Sequence, residues 1–370
     1  MDDSLTRDYL ALAHHRSLGP VALARMLGRI GPLSEIRELP KARLLAAGVS
    51  EAQAAILLRP AGKAGLSRQL REELAWAEAP GRAIVHFESA RYPPLLREIA
   101  TPPPVLYVEG PPECLAEPAI AMVGSRRGSA YGRRHAQWLA HELSAAGLTV
   151  CSGMALGIDT AAHEGALAAG GRTVAVMGTG VDICYPARNR ELRGKILAQG
   201  ALVSEFPLAS PPARDHFPRR NRIISGLCAG TVVVEAGLKS GSLVTAKFAL
   251  QQNREVFALP GPISSPHSRG CHQLIRQGAK LVETPDDVLQ ELEGILPLDR
   301  FRPKAAPAVA GNPALDPVDA SLIAQLEETG SLPETLASQT GLSAQELAVK
   351  LLQLELAGLV THQGGRYFRV

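Results

Sequence analysis

Hydrophobic residues recur with different periods along the chain, and the changes of period divide it into three parts. In the first part the apolar residues follow helical spacing. In the second, from Pro102 to about Leu292, short aliphatic runs alternate with amphipathic stretches, and in the third helical spacing returns. Because this spacing reports which faces are buried, it predicts a helical domain at 1–80, an α/β domain at 81–299 and a small C-terminal domain at 315–370.

The central part has the pattern of a sheet that is buried on both faces. Eight short runs are almost continuously apolar, and helical stretches separate them. Parallel strands covered by helices on both sides have this composition, so the pattern predicts a doubly wound, mostly parallel, Rossmann-like α/β sheet. The predicted strands are 105–108, 119–123, 148–151, 173–177, 201–204, 231–234, 255–259 and 280–282.

The N-terminal part shows short helices that are separated by tight breaks. Gly19-Pro20 interrupts the apolar spacing and places proline at a first helical position. Gly48-Val49 makes a second break, and Ser50 is positioned to cap the helix that follows. Helices joined in this way are typical of helix-hairpin-helix or SAM-like domains, which can bind DNA phosphates through backbone amides. Simple packing is the other interpretation.

The C-terminal sequence predicts a linker and then an acidic winged-helix domain. Residues 300–314 are rich in proline and alanine and have no apolar period, which indicates a linker. Three helices at 317–328, 333–340 and 343–357 precede a hairpin around Gly364-Gly365. Many winged helices bind duplex DNA, but this one carries seven acidic residues against three basic ones. Phosphate would be repelled, so we interpret it as a protein-contact domain.

Composition narrows the class of protein. The net charge of the 370 residues is only +3, so a nucleic acid would have to be recognised by a local cluster of cations. The five cysteines are widely spaced and include no C-x-x-C pair, which argues against disulfides and a zinc site. The N-terminus is polar and acidic, and no apolar run reaches the roughly 18 residues of a membrane span. We expect a cytoplasmic protein without a metal or membrane contact.

Glycine- and serine-rich loops follow five of the predicted strands. Ligands of open parallel sheets bind outside the carboxyl ends of the strands. Exposed amides at a helix N-terminus bind phosphate, so five such loops on one edge predict an anion pocket. The loops lie at 124–132, 152–159, 178–182, 235–242 and 260–261.

The glycine spacing argues against the common nucleotide cofactors. Glycines in the loop 124–132 recur at i, i+4 and i+8, which is not G-x-G-x-x-G, and the next strand ends in Ser152, where a ribose-binding site has an acidic residue. The chain contains no G-x-x-x-x-G-K-[ST] motif, which argues against a P-loop nucleotide triphosphatase. We expect no cofactor.

Single acidic residues and one histidine lie near the predicted pocket. Asp159, Asp182, Glu205 and Glu235 fall on separate loops and form no pair that is typical of a metal site. We interpret each as capping a helix or holding a loop arginine. His163 could act as a base, but a packing histidine is the commoner situation.

An arginine-rich segment is the sharpest local feature of the chain. Four arginines fall within nine residues, and Phe217 stands among them. Guanidinium groups for phosphates and an aromatic ring for bases are typical of single-stranded nucleic-acid binding. In the competing interpretation Phe217 belongs to the core and Glu205 or Glu235 pairs with one or two of the arginines. The four are Arg214, Arg219, Arg220 and Arg222.

Six motifs in order resemble the DNA-processing protein A family (DprA, also called Smf). The helical N-terminus and the winged-helix tail also match its common layout. The motifs are G-S-R-x-x-S-x-Y-G at 124–132, S-G-x-A-x-G-I-D at 152–159, G-x-D-x-x-Y-P at 180–186, F-P-x-R-N-R-I-I-S-G-L at 217–227, E-A-x-x-x-S-G-S-L-x-T-A at 235–246 and P-G-x-I…S-x-G-C-H-x-L-I-x-x-G-A at 260–279.

The resemblance implies a single-stranded DNA-binding recombination mediator that is not an enzyme. Members of the family protect incoming single strands in natural transformation. They help the RecA recombinase load in place of single-strand binding protein, and they are homodimers built through the central domain. Positions matching Arg126, Arg214 and Phe217 contact DNA in the family, and Arg188 or Arg190 stands where many relatives carry lysine.

The expected contacts form two groups. The segment matching 270–279 lies near the dimer and RecA surfaces in relatives, which gives Cys271, His272, Leu274 and Ile275. The expected DNA contacts are Gly124, Ser125, Arg126, Ser152, Gly153, Arg188, Arg214, Phe217, Arg219, Arg220, Asn221, Arg222, Ser240 and Gly241.

Two other classes of function are alternatives. The glycine-rich pocket resembles that of nucleotide phosphoribohydrolases of the lysine-decarboxylase-like type. Those enzymes carry P-G-G-x-G-T before a catalytic glutamate, whereas here Glu235 precedes the glycines and that motif is missing. In the other alternative the chain is a scaffold whose terminal domains do the binding.

Overall fold

The computed structural model of the chain contains two compact units, one within residues 1–302 and the other within 303–370. The predicted linker at 300–314 and the predicted helix ends at 327–328 and 357 lie outside the described residues. No helix in the described part of the chain is long and apolar enough to cross a membrane. The structure describes residues 3–15, 17–59, 67–293, 317–326, 330–356 and 359–369.

The N-terminal region is helical, as its apolar spacing predicts. Ser50 caps the fifth helix through a capping box with Gln53, which confirms the cap expected there. Leu23, Leu33 and Leu44 are buried in the same core as Leu106 of the sheet, so these helices pack on the α/β region. The helices are α1 (Asp3–Ala13), α2 (Gly19–Ile30), α3 (Leu33–Glu38), α4 (Lys41–Ala46), α5 (Glu51–Leu57) and α6 (Arg68–Ala77).

The α/β region is built on one nine-stranded sheet. Its strands are β1 (Arg82–His86), β2 (Val105–Glu109), β3 (Ala119–Gly124), β4 (Thr149–Ser152), β5 (Thr173–Val176), β6 (Ala201–Ser204), β7 (Gly230–Glu235), β8 (Glu255–Ala258) and β9 (Lys280–Leu281). Their order is β1-β2-β6-β5-β4-β3-β7-β8-β9. Strands β3 to β9 pair in parallel, while β2 pairs antiparallel with both β1 and β6. The predicted mostly parallel sheet is confirmed.

Both faces of the sheet are buried. Alternate residues of β3 show this. Ile120 and Met122 pack in one core with residues of three helices, among them Leu139, Ile158 and Leu292, whereas Ala121 and Val123 pack in the core of the other face. The helices of this region are α7 (Pro94–Arg97), α8 (Ala130–Ala145), α9 (Ile158–Ala168), α10 (Arg190–Gln199), α11 (His216–Gly226), α12 (Ser242–Gln251), α13 (Arg269–Arg276) and α14 (Asp286–Leu292).

The strand order reverses direction between β3 and β7. From β3 the chain adds β4, β5 and β6 on one side, and then it crosses to add β7, β8 and β9 on the other. Successive connections therefore diverge at the carboxyl ends of β3 and β7, which opens a crevice at this switch point. The sheet thus places the loops after these two strands beside each other at the usual ligand position.

The C-terminal unit has the predicted winged-helix layout. It contains α15 (Pro317–Ala324), α16 (Pro333–Thr340), α17 (Ala344–Leu356), β10 (Val360–Gln363) and β11 (Arg366–Arg369). Leu322, Leu336 and Leu347 pack in a core of its own. The turn of the hairpin is made by Gly364 and Gly365, whose φ angles of +59° and +79° favour glycine.

Candidate nucleic-acid interface

A cavity of about 810 Å³ lies at the switch point. Loops that follow six strands, β3 to β8, contribute to its lining. The carboxyl ends of parallel strands share one edge of the sheet, so this is the edge where the sequence predicts an anion pocket. Of the expected DNA contacts, the lining residues are Gly124, Ser125, Arg126, Arg214, Phe217, Arg220, Asn221, Ser240 and Gly241.

The loop between β3 and α8 is held firmly while its cations stay exposed. Ser129 caps α8 by accepting a hydrogen bond from the Gly132 amide at 3.0 Å. The Ser129 hydroxyl donates to Glu235 Oε2 at 2.5 Å, and the Ser125 amide donates to the Glu235 carbonyl at 2.8 Å. These bonds tie the loop to the end of β7. Arg126 lies on this loop, lines the cavity and is exposed to solvent.

Phe217 forms part of the cavity wall. Its ring is half-buried, with the Arg126 guanidinium 5.2 Å from the ring centroid and the Tyr185 ring centroid 5.5 Å away. A Cβ on Gly178 would lie 2.7 Å from the ring, so glycine is required there for the ring to pack. The interpretation of Phe217 as a core residue is wrong, since the ring lines the cavity.

The arginine-rich segment divides between the cavity and the interior. Arg214 is exposed and lines the cavity. Arg219 and Arg222 instead donate to Glu205 Oε2, at 2.8 and 2.6 Å, and neither lines the cavity. Their spacing of three residues places both on one side of α11, facing the end of β6. The expectation that Arg222 binds DNA is wrong, because this side chain is buried in an ion pair.

Arg220 reaches the cavity from below, yet it is almost fully buried. Its guanidinium donates to the Gly153 carbonyl at 2.6 Å and to the Val176 carbonyl. Burial lowers the pKa of Arg220 to about 10, and the negative charge of Asp159 opposes that shift. Burial also raises the pKa of Asp159, and Arg220 opposes that change. Arg220 therefore stabilises the loop after β4 through its hydrogen bond to Gly153, and it places a buried positive charge at the wall of the cavity.

Three further expected contacts lie elsewhere. Ser152 is fully buried and its hydroxyl donates to the Met122 carbonyl at 2.6 Å, so its predicted role in DNA binding is wrong. Gly153 lines an adjoining cavity of about 180 Å³, which Arg126 and Phe217 also line. Arg188 is exposed but lines neither cavity.

Sequence comparisons assign the chain to a family. The model of the DNA recombination-mediator protein A family matches residues 83–293, and that of the DprA winged helix domain matches residues 304–366. Protein Smf of Escherichia coli (strain K12) is 42% identical over 307 residues, which make up 82% of this chain and 81% of that protein. The chain belongs to the DNA recombination-mediator protein A family.

Solved structures of DNA processing protein A are similar to this chain. The X-ray structure from Streptococcus pneumoniae superposes with a TM-score of 0.65 at 34% identity, covering 77% of this chain and 97% of that one. The structure from Helicobacter pylori has a TM-score of 0.52 at 29% identity and covers 57% of this chain and 96% of that one. The Helicobacter structure concerns the single-stranded DNA binding mode of that protein.

The segment that the family resemblance places near dimer and RecA surfaces is α13 with its flanks. Cys271 is fully buried and Leu274 nearly so, and both pack in the core. Burial also raises the pKa of the Cys271 thiol to about 12. These two residues cannot contact a partner in this conformation, so their predicted contacts are wrong. His272 and Ile275 are half-buried and stay candidates.

The acidic residues around the cavity of this family member have structural roles: Glu205 holds two arginines as expected, whereas the other three accept from loop amides or from Ser129. Asp159 Oδ2 accepts from the Gly153 and Ala155 amides at 3.2 and 3.3 Å, and Asp182 accepts from the Ala209 amide. Glu205 accepts from Arg219 and Arg222, and Glu235 accepts from Ser129. Within the described ranges, no three histidine, cysteine or acidic side chains cluster as a metal site would require.

His163 is a packing residue. It is fully buried, and its Nδ1 lies 2.7 Å from the Thr173 hydroxyl, which itself donates to the Val150 carbonyl. Nδ1 of His163 therefore donates to this hydroxyl. Burial lowers the pKa of His163 to about 3, so the ring is neutral at physiological pH.

Sequence reasoning missed several lining residues. Arg127 and Lys239 are exposed cations of the cavity, and Tyr185 and His267 also line it. Arg127 and Tyr185 stand inside motifs of the family and could have been proposed from them. Lys239 and His267 are single polar residues in glycine- and serine-rich loops, where spacing gives no signal.

Proposed function

We propose that this chain binds single-stranded DNA in the switch-point cavity and acts as a recombination mediator. The observation that carries the proposal is the pairing of Arg126 with Phe217, a guanidinium above an aromatic ring in the wall of a cation-lined cavity. Family membership and the single-stranded DNA binding of the Helicobacter relative support it.

The cavity offers both kinds of contact that a single strand requires. Arg126, Arg127, Arg214 and Lys239 are exposed cations for phosphates. The rings of Phe217 and Tyr185 are accessible for base stacking, which tolerates any sequence because every base has a flat face. Bases in a duplex are paired and cannot enter, so we propose a preference for single strands.

We propose further that the protein acts without catalysis, as a homodimer that promotes RecA loading with single-strand binding protein as a competitor. Glu235, the glutamate of the hydrolase alternative, already binds Ser129. A role beside RecA would place the protein in the cytoplasm.

Three measurements test these points. Sedimentation should give twice the chain mass of 39.2 kDa. Nucleoside monophosphates should yield no free base, and RecA should nucleate faster on coated single strands when the protein is present.

Salt dependence of binding tests the proposed site. With about four phosphate contacts, log affinity should fall with log salt at a slope of about −3. We expect Arg126→Ala and Arg214→Ala each to make the slope about 0.7 shallower and to weaken binding to all sequences alike. Arg68→Ala is the matched control, since Arg68 is exposed on α6 and lies outside the cavity. Unchanged affinity in both cavity variants would rule this site out.

A further inference from the structure

The loop between β8 and α13 brings a histidine to the cavity. His267 lines the cavity and its side chain is 45% exposed. The ring nitrogen Nδ1 lies 3.3 Å from Glu235 Oε1, and the Glu235 side chain is only 5% exposed. His267 thus lies beside a buried carboxylate in the wall of the cavity. The phosphate contacts proposed above do not include this histidine.

Glu235 fixes which nitrogen of the ring faces it. The carboxylate also accepts from the Ser129 amide, at 3.1 and 3.2 Å, and from the Ser129 hydroxyl. The ring nitrogen that faces the carboxylate is Nδ1, and because a carboxylate can only accept, a proton on Nδ1 favours this contact. In the described part of the chain the other nitrogen, Nε2, makes no hydrogen bond with protein.

We propose that His267 and Glu235 form an additional phosphate subsite at the β8 end of the cavity. In the protonated ring Nδ1–H donates to Glu235, and Nε2–H donates to a phosphate oxygen of the strand. In the neutral ring with Nδ1 protonated, Nε2 carries a lone pair and would repel that oxygen. Phosphate binding at this subsite therefore requires a proton. The proposal rests on the proposed function, since the ligand is the same single strand.

The position of the subsite lengthens the path of the strand. Arg126 follows β3 and His267 follows β8, with β7 between them in the sheet. At a strand spacing of about 4.8 Å, the two loops start about 10 Å apart. Arg214 and Phe217 follow β6, on the far side of β3. His267 would thus bind a phosphate beyond the one held by Arg126, at the opposite end from Phe217.

The charges around the ring set the direction of the pH dependence. Glu235 and an incoming phosphate favour the protonated ring, and the cavity cations disfavour it. Because binding brings in negative charge, protonation of the ring and DNA binding favour each other, so affinity should rise as the pH falls. The charged or titratable groups that line the cavity with His267 are Arg126, Arg127, Asp159, Tyr185, Arg214, Arg220 and Lys239, and Arg269 follows it in the chain.

The test compares the affinity for a thymidine oligonucleotide at about pH 6 and pH 8, measured by anisotropy of a pH-insensitive label on the full chain. Wild type should lose about threefold to fivefold more affinity over this interval than His267→Gln, as a half-exposed ion pair allows. His267→Arg keeps a permanent cation and should retain its affinity at pH 8. The matched control is His141→Gln, since His141 lies beside Glu142 at 2.9 Å but outside the cavity.

The outcomes separate this proposal from the proposed function. If wild type binds the strand and His267→Gln follows the same pH profile as wild type, the subsite is refuted while the cavity stands. If wild type does not bind at all, the proposed function itself fails. Wild type and His267→Gln share every other histidine, including His216 beside Phe217, so the difference between these two profiles reports on His267 alone.

Discussion

Two neighbouring side chains define the interface at the scale of single residues. The Arg126 guanidinium lies over the face of Phe217, where the negative face of the ring attracts it. This contact orients the guanidinium while leaving its outer N–H groups for a phosphate. A base that stacks on Phe217 would then have its own phosphate close to Arg126.

Removing the ring should weaken binding without affecting the fold. We expect Phe217→Ala to reduce the binding free energy by about 1–3 kcal/mol, because the base loses its stacking surface. Phe217→Tyr retains a ring and should bind nearly as well as wild type. Anisotropy titrations with one oligonucleotide measure both. Equal affinities for the alanine and tyrosine variants would show that the ring does not stack on a base.

His163 should make the fold sensitive to acid. Its pKa of about 3 in the folded chain lies below the ordinary 6.5 of the unfolded chain, so stability is complete above pH 6.5 and is lost as the pH falls towards 3. Between pH 6.5 and 5 this residue alone should cost about 2 kcal/mol of the free energy of unfolding. Urea unfolding of wild type and His163→Asn at both pH values measures it. An identical loss in the variant would show that another group is responsible.

Helix α11 shows, at the scale of elements, what sequence reasoning could and could not predict. The composition of the segment predicts anion binding, and the structure places Arg214 and Phe217 in the wall of the cavity. Composition could not reveal that Arg219 and Arg222 face Glu205, since that depends on which side of the helix is turned towards the residue after β6. Four arginines close in sequence thus have different environments.

The strands show a similar limit of prediction from sequence. Eight were predicted because their runs are continuously apolar, as buried parallel strands require. β1 was missed, since Arg82–His86 holds only three apolar residues between charged or polar ends and follows directly on a helical pattern. Its assignment depends on antiparallel pairing with β2, a contact between distant segments that local periodicity does not encode.

The two roles of the arginines at 214–222 should separate in experiment. Arg222→Ala removes one of the two partners of the buried Glu205, and we expect it to lower the free energy of unfolding by about 2–3 kcal/mol. Arg214→Ala removes an exposed side chain and should leave the urea midpoint unchanged while weakening DNA binding. If both variants unfold at the same urea concentration, the division of the arginines is wrong.

At the scale of the whole molecule, the cavity belongs entirely to the unit within residues 1–302. The N-terminal helices share the core of that unit, so they cannot be removed without exposing Leu106 and its neighbours. The C-terminal unit has its own core and an acidic composition. Binding of a single strand should therefore require the first unit only.

Truncation tests this division. A chain that ends at residue 302 should fold and bind a single-stranded oligonucleotide within about twofold of wild type, because each cavity residue is retained and the lost domain would repel phosphate. A chain that lacks residues 1–80 should instead unfold at a much lower urea concentration. Loss of affinity in the folded 1–302 chain would move the binding site to the winged helix.

Anisotropy with matched single- and double-stranded oligonucleotides, for wild type, Arg126→Ala and Arg68→Ala, decides whether the switch-point cavity holds a single strand. Wild type and Arg68→Ala should bind the single strand much more tightly than the duplex, and Arg126→Ala should bind the single strand more weakly than either. Equal affinity of wild type for both oligonucleotides, or full single-strand affinity in Arg126→Ala, would contradict the proposed interface.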